Sequence, residues 1–248
     1  DVERSRGLGD VYKRQVLHIY DALFAAKDIK HVLVRHEQGA THAADGYARA
    51  CNKPGVVLVT SGPGITNCVT GIATAHMDSI PMIVISGQVS RQYVGSDAFQ
   101  EADATGITRP ICKHNFLIND RESIADTFRK AFIIATTGRP GPVIIDIPKD
   151  LTDPNVKIDF EYKKNIKIRS YKVKINEDEN KIEEAAKILC SAKKPMVYTG
   201  GGVILSKASN ELIKLQNLIN SPITNTLMGL GAYPSSDNQF LGMLGMHG

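Results

Sequence analysis

Three short segments carry residues suited to chemistry, and each follows an apolar run. The first is Arg35-His36-Glu37-Gln38-Gly39-Ala40. Glu37 stands between the run His31–Arg35 and an Ala-rich stretch, at the mouth of any sheet that run joins. Two readings are open there. An acid at the start of a helix is favoured by the helix dipole alone. A partly buried carboxyl in the same place also suits proton exchange with a heterocycle. The second segment is Thr60-Ser61-Gly62-Pro63-Gly64-Ile65-Thr66-Asn67. Its glycines let backbone approach a ligand, and the helix after it offers unpaired N–H groups. It is neither a Walker A loop nor GxGxxG, so alone it marks a ligand-facing loop or a tight turn equally well. The third, Gly95 to Glu101, puts Phe99 and Gln100 in a long irregular connection, as pocket residues or as loop packing. Gly200-Gly201-Gly202 after a later apolar run suggests contact with a dinucleotide, without the NAD spacing. His36 and His42 lack further ligand spacing for a metal. There is no GxSxG and no Cys/His nucleophile pairing.

Positioning these segments requires an α/β sheet. Apolar spacing over Val16–Phe24 (Leu17, Tyr20, Leu23, Phe24) predicts a helix, and His31–Arg35 a short buried strand. A helix over Gly39–Ala50 follows, then a strand at Val56–Thr60, a helix from Thr66 to His76 and a strand at Pro81–Ser86. Gln88 to Asn115 is irregular. Asn119 or Asp120 can cap a helix with Ile124, Phe128 and Phe132 on one face, ending at Gly138. Val143–Ile147 is another strand. Continuous Val/Ile/Leu strands alternating with helices mean a parallel sheet flanked by helices on both faces. A second, Rossmann-like α/β pattern opens with an amphipathic helix over Glu177–Cys190 (Ile182, Ala185, Ala186, Leu189). Strands at Pro195–Thr199 and Pro222–Thr226 follow, with a helix at Ser209–Ile219 between them. This second pattern is incomplete. Four divisions are therefore expected: an unmatched leader 1–15, an α/β domain 16–152, a linker 153–176 and a partial domain 177–248.

Composition narrows the partners. The 248 residues hold 30 Lys+Arg against 26 Asp+Glu, and residues 1–150 hold 17 against 16, so no half is strongly basic. The Lys-rich stretch Lys157, Lys163, Lys164, Lys167, Arg169, Lys172 and Lys174, against Asp159 and Glu161, reads as a solvated linker because no aromatic stacking array accompanies it. Nucleic acid is not an expected partner, nor is a membrane, since no apolar run reaches the length of a span. Cys51, Cys68, Cys112 and Cys190 show no CxxC spacing and read as reduced, mostly buried thiols.

Taken in order, RHEQGATHAADGYARA, TSGPGITN, MDSIPMIVISGQV, GSDAFQEAD, ITRPICKHNF and TGRPGPVIIDIPKD resemble the large-subunit family of acetolactate synthase, within the thiamine diphosphate-dependent superfamily. The resemblance covers Val16 to Gly248. It implies a pyrimidine-binding domain over 16–152 and part of a central FAD-binding domain over 177–248. It makes Glu37 the acid that exchanges a proton with the aminopyrimidine ring of thiamine diphosphate. It places Thr60, Pro63, Asn67 and Gln100 at that cofactor, and Phe99 and Lys149 at the substrate pocket and channel mouth. Arg139, Gly200, Gly201, Gly202, Thr226, Leu227, Met228, Leu244, Gly245, Met246 and His247 match FAD-contacting stretches. The implied reaction decarboxylates pyruvate and transfers the two-carbon unit to a second 2-keto acid, pyruvate or 2-ketobutyrate, in branched-chain amino-acid biosynthesis. Implied partners are a second copy in a homodimer or homotetramer and a small regulatory subunit. The implied location is cytoplasmic in a bacterium, plastid or mitochondrial in a eukaryote.

Departures shape the expectations. No Gly-Asp-Gly segment with a downstream Asn occurs, so no metal ligands are assigned and the Mg2+ and diphosphate site is expected in a missing C-terminal domain. Residues 1–248 alone are expected to be inactive. Ser90 stands in GQVS where the family has proline on the route to the active site, which implies weaker sulfonylurea inhibition. The rivals are another thiamine diphosphate-dependent carboligase or decarboxylase, a non-catalytic flavin-binding module, and a nicotinamide oxidoreductase.

Overall fold

A computed structural model of the chain describes residues 15–158, 166, 168–169, 171–173, 177–246 and 248. The leader through Arg14, most of the Lys-rich stretch (Asp159, Glu161, Lys163, Lys164, Lys167, Lys174) and His247 lie outside the described residues. Residues 1–174 and 175–248 form two compact units.

In the first unit four strands form a fully parallel sheet: β1 (Gly55–Val59), β2 (Met82–Gln88), β3 (His114–Leu117) and β4 (Pro142–Pro148), in the order β1-β2-β4-β3. The central strands β2 and β4 are buried almost throughout. Their continuous apolar runs are what a sheet covered on both faces demands. Helix α1 (Leu17–Ala25) is followed along the chain by α2 (Glu37–Cys51), α3 (Pro63–Asn67) and α4 (Val69–Met77). Helices α2 and α4 cross at Gly71, where any Cβ would collide with the Thr41 side chain. A short helix α5 (Ala104–Thr108) precedes β3. Helix α6 (Ile124–Thr136) packs Ala131, Ile134 and Ala135 against Ile83, Val143, Ile145 and Ile147 of the sheet.

Several expectations need correction. His31–Arg35 is not a strand: it has no ladder partner, and Val32 and Leu33 are 68% and 73% exposed. Apolar content alone does not make a strand, because backbone N–H and C=O groups need a neighbour. The helix expected over Thr66–His76 is two helices that meet at Cys68. The irregular stretch contains α5 and β3. Phe24 is 96% exposed, so the α1 stripe is not a packed face. Of the expected α6 face, Ile124 and Phe128 pack on the core and Phe132 is exposed; α6 also buries Thr127, Ala131, Ile134 and Ala135. Asp120 accepts a hydrogen bond from Ser123 N (2.7 Å) in the turn before α6. Only Cys68 and Cys112 of the four free thiols are buried. Within the expected linker, Ile168 and Tyr171 pack on the first unit's core. Lys113 Nζ donates to Tyr171 Oη (3.0 Å) and to the carbonyls of Ile134 and Thr137, so this stretch is docked rather than wholly solvated.

The second unit has a three-stranded parallel sheet, β5 (Val197–Thr199), β6 (Ile223–Asn225) and β7 (Phe240–Met243), in that order. Helices α7 (Glu179–Ser191), α8 (Gly201–Leu205) and α9 (Ser209–Ile219) accompany it. Strand β7 and helix α8 were not expected from the sequence: glycines and a short apolar run read as loop. The amphipathic helix α7 buries no residue.

Candidate functional site

The Gly62 turn follows the carboxyl end of β1, the Gly95–Glu101 segment that of β2 and Lys149 that of β4, while Glu37 follows the unpaired run His31–Arg35. Glu37 is the first residue of α2, and the His36 imidazole Nδ1 caps that helix by accepting from Gln38 N (3.1 Å). The α2 dipole favours a carboxylate at this end. Asn67, the last residue of α3, donates from Nδ2 to Glu37 Oε2 at 3.0 Å. Glu37 is half-buried. Its carboxylate is thus engaged by a neutral amide. Cys68 lies beside it, with Sγ 3.9 Å from the Glu37 carbonyl oxygen. Burial and then the Glu37 charge push the Cys68 thiol up to about 12, so it stays neutral. Tyr20 of α1, half-buried and stacked near His31, is raised by burial and by the same charge.

The glycine turn lies next to it. Gly62 adopts φ +60°, and a Cβ there would come 2.8 Å from the Gln100 carbonyl oxygen. Glycine is required both for the dihedral and for that approach. The structure thus brings the second and third segments together. Ser61 Oγ and Gln100 Oε1 are buried without a hydrogen-bond partner among the described residues. Such orphans are rare and call for a ligand or water. Thr60 Oγ1 donates to Gln15 Oε1 (2.9 Å), so Gln15, grouped with the leader by composition, is buried at the site. Pro63 opens α3 and is exposed; Phe99 is 72% exposed. Lys149 begins the turn after β4 and is half-buried. Ser90 lines an open cleft of about 390 Å³ with Arg91, Gln92 and Asp150. Arg139 is occupied elsewhere: its Nε donates to Ser79 Oγ (2.7 Å) and its Nη2 to the Met77 carbonyl (3.2 Å) at the end of α4.

In the second unit, Thr226 accepts from Gly229 N (3.1 Å) and Asn225 Nδ2 is buried without a partner. Gly200 caps α8, while Gly201 lies against Met228, so close packing accounts for one of the three glycines. Gly202 faces open space. Leu227, Leu244, Gly245 and Met246 are exposed. Among the described residues, no cluster of three or more His, Cys, Asp or Glu could hold a metal.

Sequence reasoning passed over Ser61, Tyr20, Cys68, Gln15, Gln88 and Asp146. A signal existed for the last two: a polar residue inside an otherwise apolar buried run (VIIDI, MIVISGQ) must have a partner.

Family comparisons agree with this geometry. Residues 10–107 match the model for the N-terminal TPP binding domain of thiamine pyrophosphate enzymes, and residues 182–248 match the model for their central domain. The X-ray structure of a Mycobacterium smegmatis protein described as thiamin diphosphate-dependent superposes with TM-score 0.76 at 25% identity, over 89% of this chain and 42% of that one. The chain belongs to the thiamine pyrophosphate enzyme family.

Within it, the chain is homologous to acetolactate synthase large subunits. It is 56% identical over 233 residues to that of Haemophilus influenzae and 52% identical to the isozyme 3 large subunit of Escherichia coli K12, covering 94% of this chain and 41% of each relative. It thus spans about two fifths of the length of the curated relatives it matches. No described helix is long and apolar enough to cross a membrane.

Proposed function

We propose that this chain supplies the pyrimidine-facing half of a thiamine diphosphate site that serves acetolactate synthesis. The reaction is decarboxylation of pyruvate and transfer of the two-carbon unit to a second 2-keto acid. The observation that carries this reading is the Glu37 carboxylate, held by Asn67 at the start of α2 beside the Gly62 turn. The orphaned oxygens of Ser61 and Gln100 fit a polar heterocycle there. When bound, thiamine diphosphate supplies an electron sink for carbanion chemistry. Glu37 exchanges a proton at a carboxylate oxygen, Asn67 fixes which oxygen faces the ring, and neutral Cys68 and Tyr20 line the rest. Phe99 and Lys149 are proposed at the second 2-keto acid, and Thr60, Pro63 and Gln100 at the cofactor.

The remaining assignments rest on the resemblance. Residues 16–152 form the pyrimidine domain, 153–176 connect it, and 177–248 form part of a domain for FAD. The resemblance assigns Gly200–Gly202, Thr226–Met228 and Leu244–Met246 to that flavin; it assigns Arg139 and His247 too, of which Arg139 is engaged at Ser79 and Met77 and His247 lies outside the described residues. Asn225 Nδ2, without a hydrogen-bond partner among the described residues, fits a polar group at that edge. No Mg2+ ligand is assigned among the described residues. A second copy and a small regulatory subunit are the proposed partners, and the bacterial cytoplasm the proposed location; the large-subunit relatives support both.

A chimera tests this: the matching segment of the Haemophilus influenzae large subunit is replaced by this one, and acetolactate formed from pyruvate is measured. Activity within about tenfold of the parent is expected, with Glu37→Gln losing at least about a hundredfold while thiamine diphosphate still binds. A folded chimera that binds the cofactor and makes no acetolactate overturns the reading.

A further inference from the structure

Gln88 closes β2 and Asp146 lies in the adjacent β4; both are buried. In the parallel register Ser86 faces Asp146 and Gln88 faces Pro148, so the two-residue period of a strand puts Gln88 and Asp146 on one face. Gln88 Nε2 donates to Asp146 Oδ2 (3.0 Å) and to the Ala102 carbonyl (2.8 Å), and Gln88 Oε1 accepts from Val89 N (2.8 Å). One amide therefore ties the outgoing and returning ends of the segment 89–103. With its NH2 group on Asp146 Oδ2, the Gln88 amide leaves its oxygen for Val89 N. Inside the segment, the Glu101 carboxylate accepts from Gly95 N and Ala98 N. Those donors hold its carboxyl below the usual range. Arg91 donates from N and Nε to Asp150 (2.9 and 2.7 Å). The tip carries Phe99, and Gln100 at φ +62° against Gly62.

We propose that Gln88 and Asp146 are positioning residues, a clasp at the base of segment 89–103 that sets Phe99 and Gln100 over the glycine turn. This rests on the reading above that Phe99 faces the second 2-keto acid. Neither residue touches the site itself; both act through the backbone of Val89 and Ala102. A purely structural pair would lower the stability of the whole sheet when removed. A clasp loosens one segment and changes how the second substrate is held.

The test has two arms. In residues 1–248, amide hydrogen exchange is compared among the parent, Gln88→Leu, Gln88→Glu and Asp146→Asn. Both Gln88 variants are expected to speed exchange at Val89, Gly95 and Ala98 about tenfold, the scale of one buried hydrogen bond, with β4 amides unchanged. Asp146→Asn keeps an acceptor for Gln88 and is expected to exchange like the parent. In the chimera, Gln88→Leu is expected to raise KM for the second 2-keto acid at least about fivefold, with thiamine diphosphate affinity unchanged. Exchange that accelerates evenly across the sheet, or local loosening with KM unchanged, overturns the proposal. A chimera inactive with Gln88 intact marks failure of the functional reading instead, and the exchange arm then decides the clasp.

Discussion

Asp146 shows how one residue can bind stability to pH. Burial pushes its carboxyl up to about 7, against the hydrogen bonds from Gln88 and Ser86 that lower it, with the Asp103 charge raising it further. A carboxyl raised on folding contributes stability that is full below its unfolded value near 4 and is lost as pH rises through about 7. Asp146→Asn should therefore gain on the parent as pH rises from 5 to 7, by no more than about 1.4 kcal/mol per pH unit, and the gap should level off above about pH 8. Urea midpoints at four pH values measure this; a constant gap would contradict it. Asn67 is the second case. Its Nδ2 hydrogen bond is charge-assisted, and such bonds are worth about 1.5–3 kcal/mol. Asn67→Leu in the chimera is expected to cut kcat about ten- to a hundredfold without unfolding the protein, read by activity beside circular dichroism.

At the scale of elements, two contacts decide how the first unit is assembled. Helices α2 and α4 approach closely because Gly71 has no side chain to meet Thr41. Gly71→Val must push them apart, and overpacking of this kind costs about 1–3 kcal/mol. The urea midpoint should fall, and a variant as stable as the parent would show that the helices separate freely. Lys113 is the other contact. Its ammonium serves the carbonyls of Ile134 and Thr137 at the end of α6 and also the Tyr171 hydroxyl. Lys113→Met leaves those groups unpaired and frees the docked stretch. Tryptic cleavage after Arg169 and Lys172 should then quicken severalfold, with the sheet still intact by amide exchange. Equal cleavage rates would show that Ile168 and Tyr171 are held by apolar packing alone.

Considered whole, the chain divides its burial unequally. The first unit has a four-stranded sheet whose central strands are buried almost throughout. The second has three short strands, and a helix α7 with no buried residue. Stability follows buried apolar area. Residues 1–248 are therefore expected to unfold in urea in two steps, residues 175–248 first. Amide exchange at increasing urea resolves the order. A single cooperative transition across both units would refute the independence of the smaller one.

Strands β1, β2 and β4 were legible because runs such as VVLVT, PMIVIS and VIIDI have few other ways to be buried. Residue type left Glu37 open between a helix-start acid and a proton-exchanging carboxyl, and the Gly62 turn open between a ligand-facing loop and a tight turn. The His31–Arg35 run misled because hydrophobic pattern states what a segment can pair with, and only the assembled chain states whether a partner is there; the helix expected over Glu177–Cys190 did form. Local sequence by itself determined the class of sheet. Tertiary structure alone decided that Asn67 reaches Glu37 across 30 positions, that Gln100 closes on Gly62, and that Gln88 grips Asp146 across 58. Those contacts join residues far apart in the chain, and no local pattern encodes a distance that only the packing of strands and helices sets.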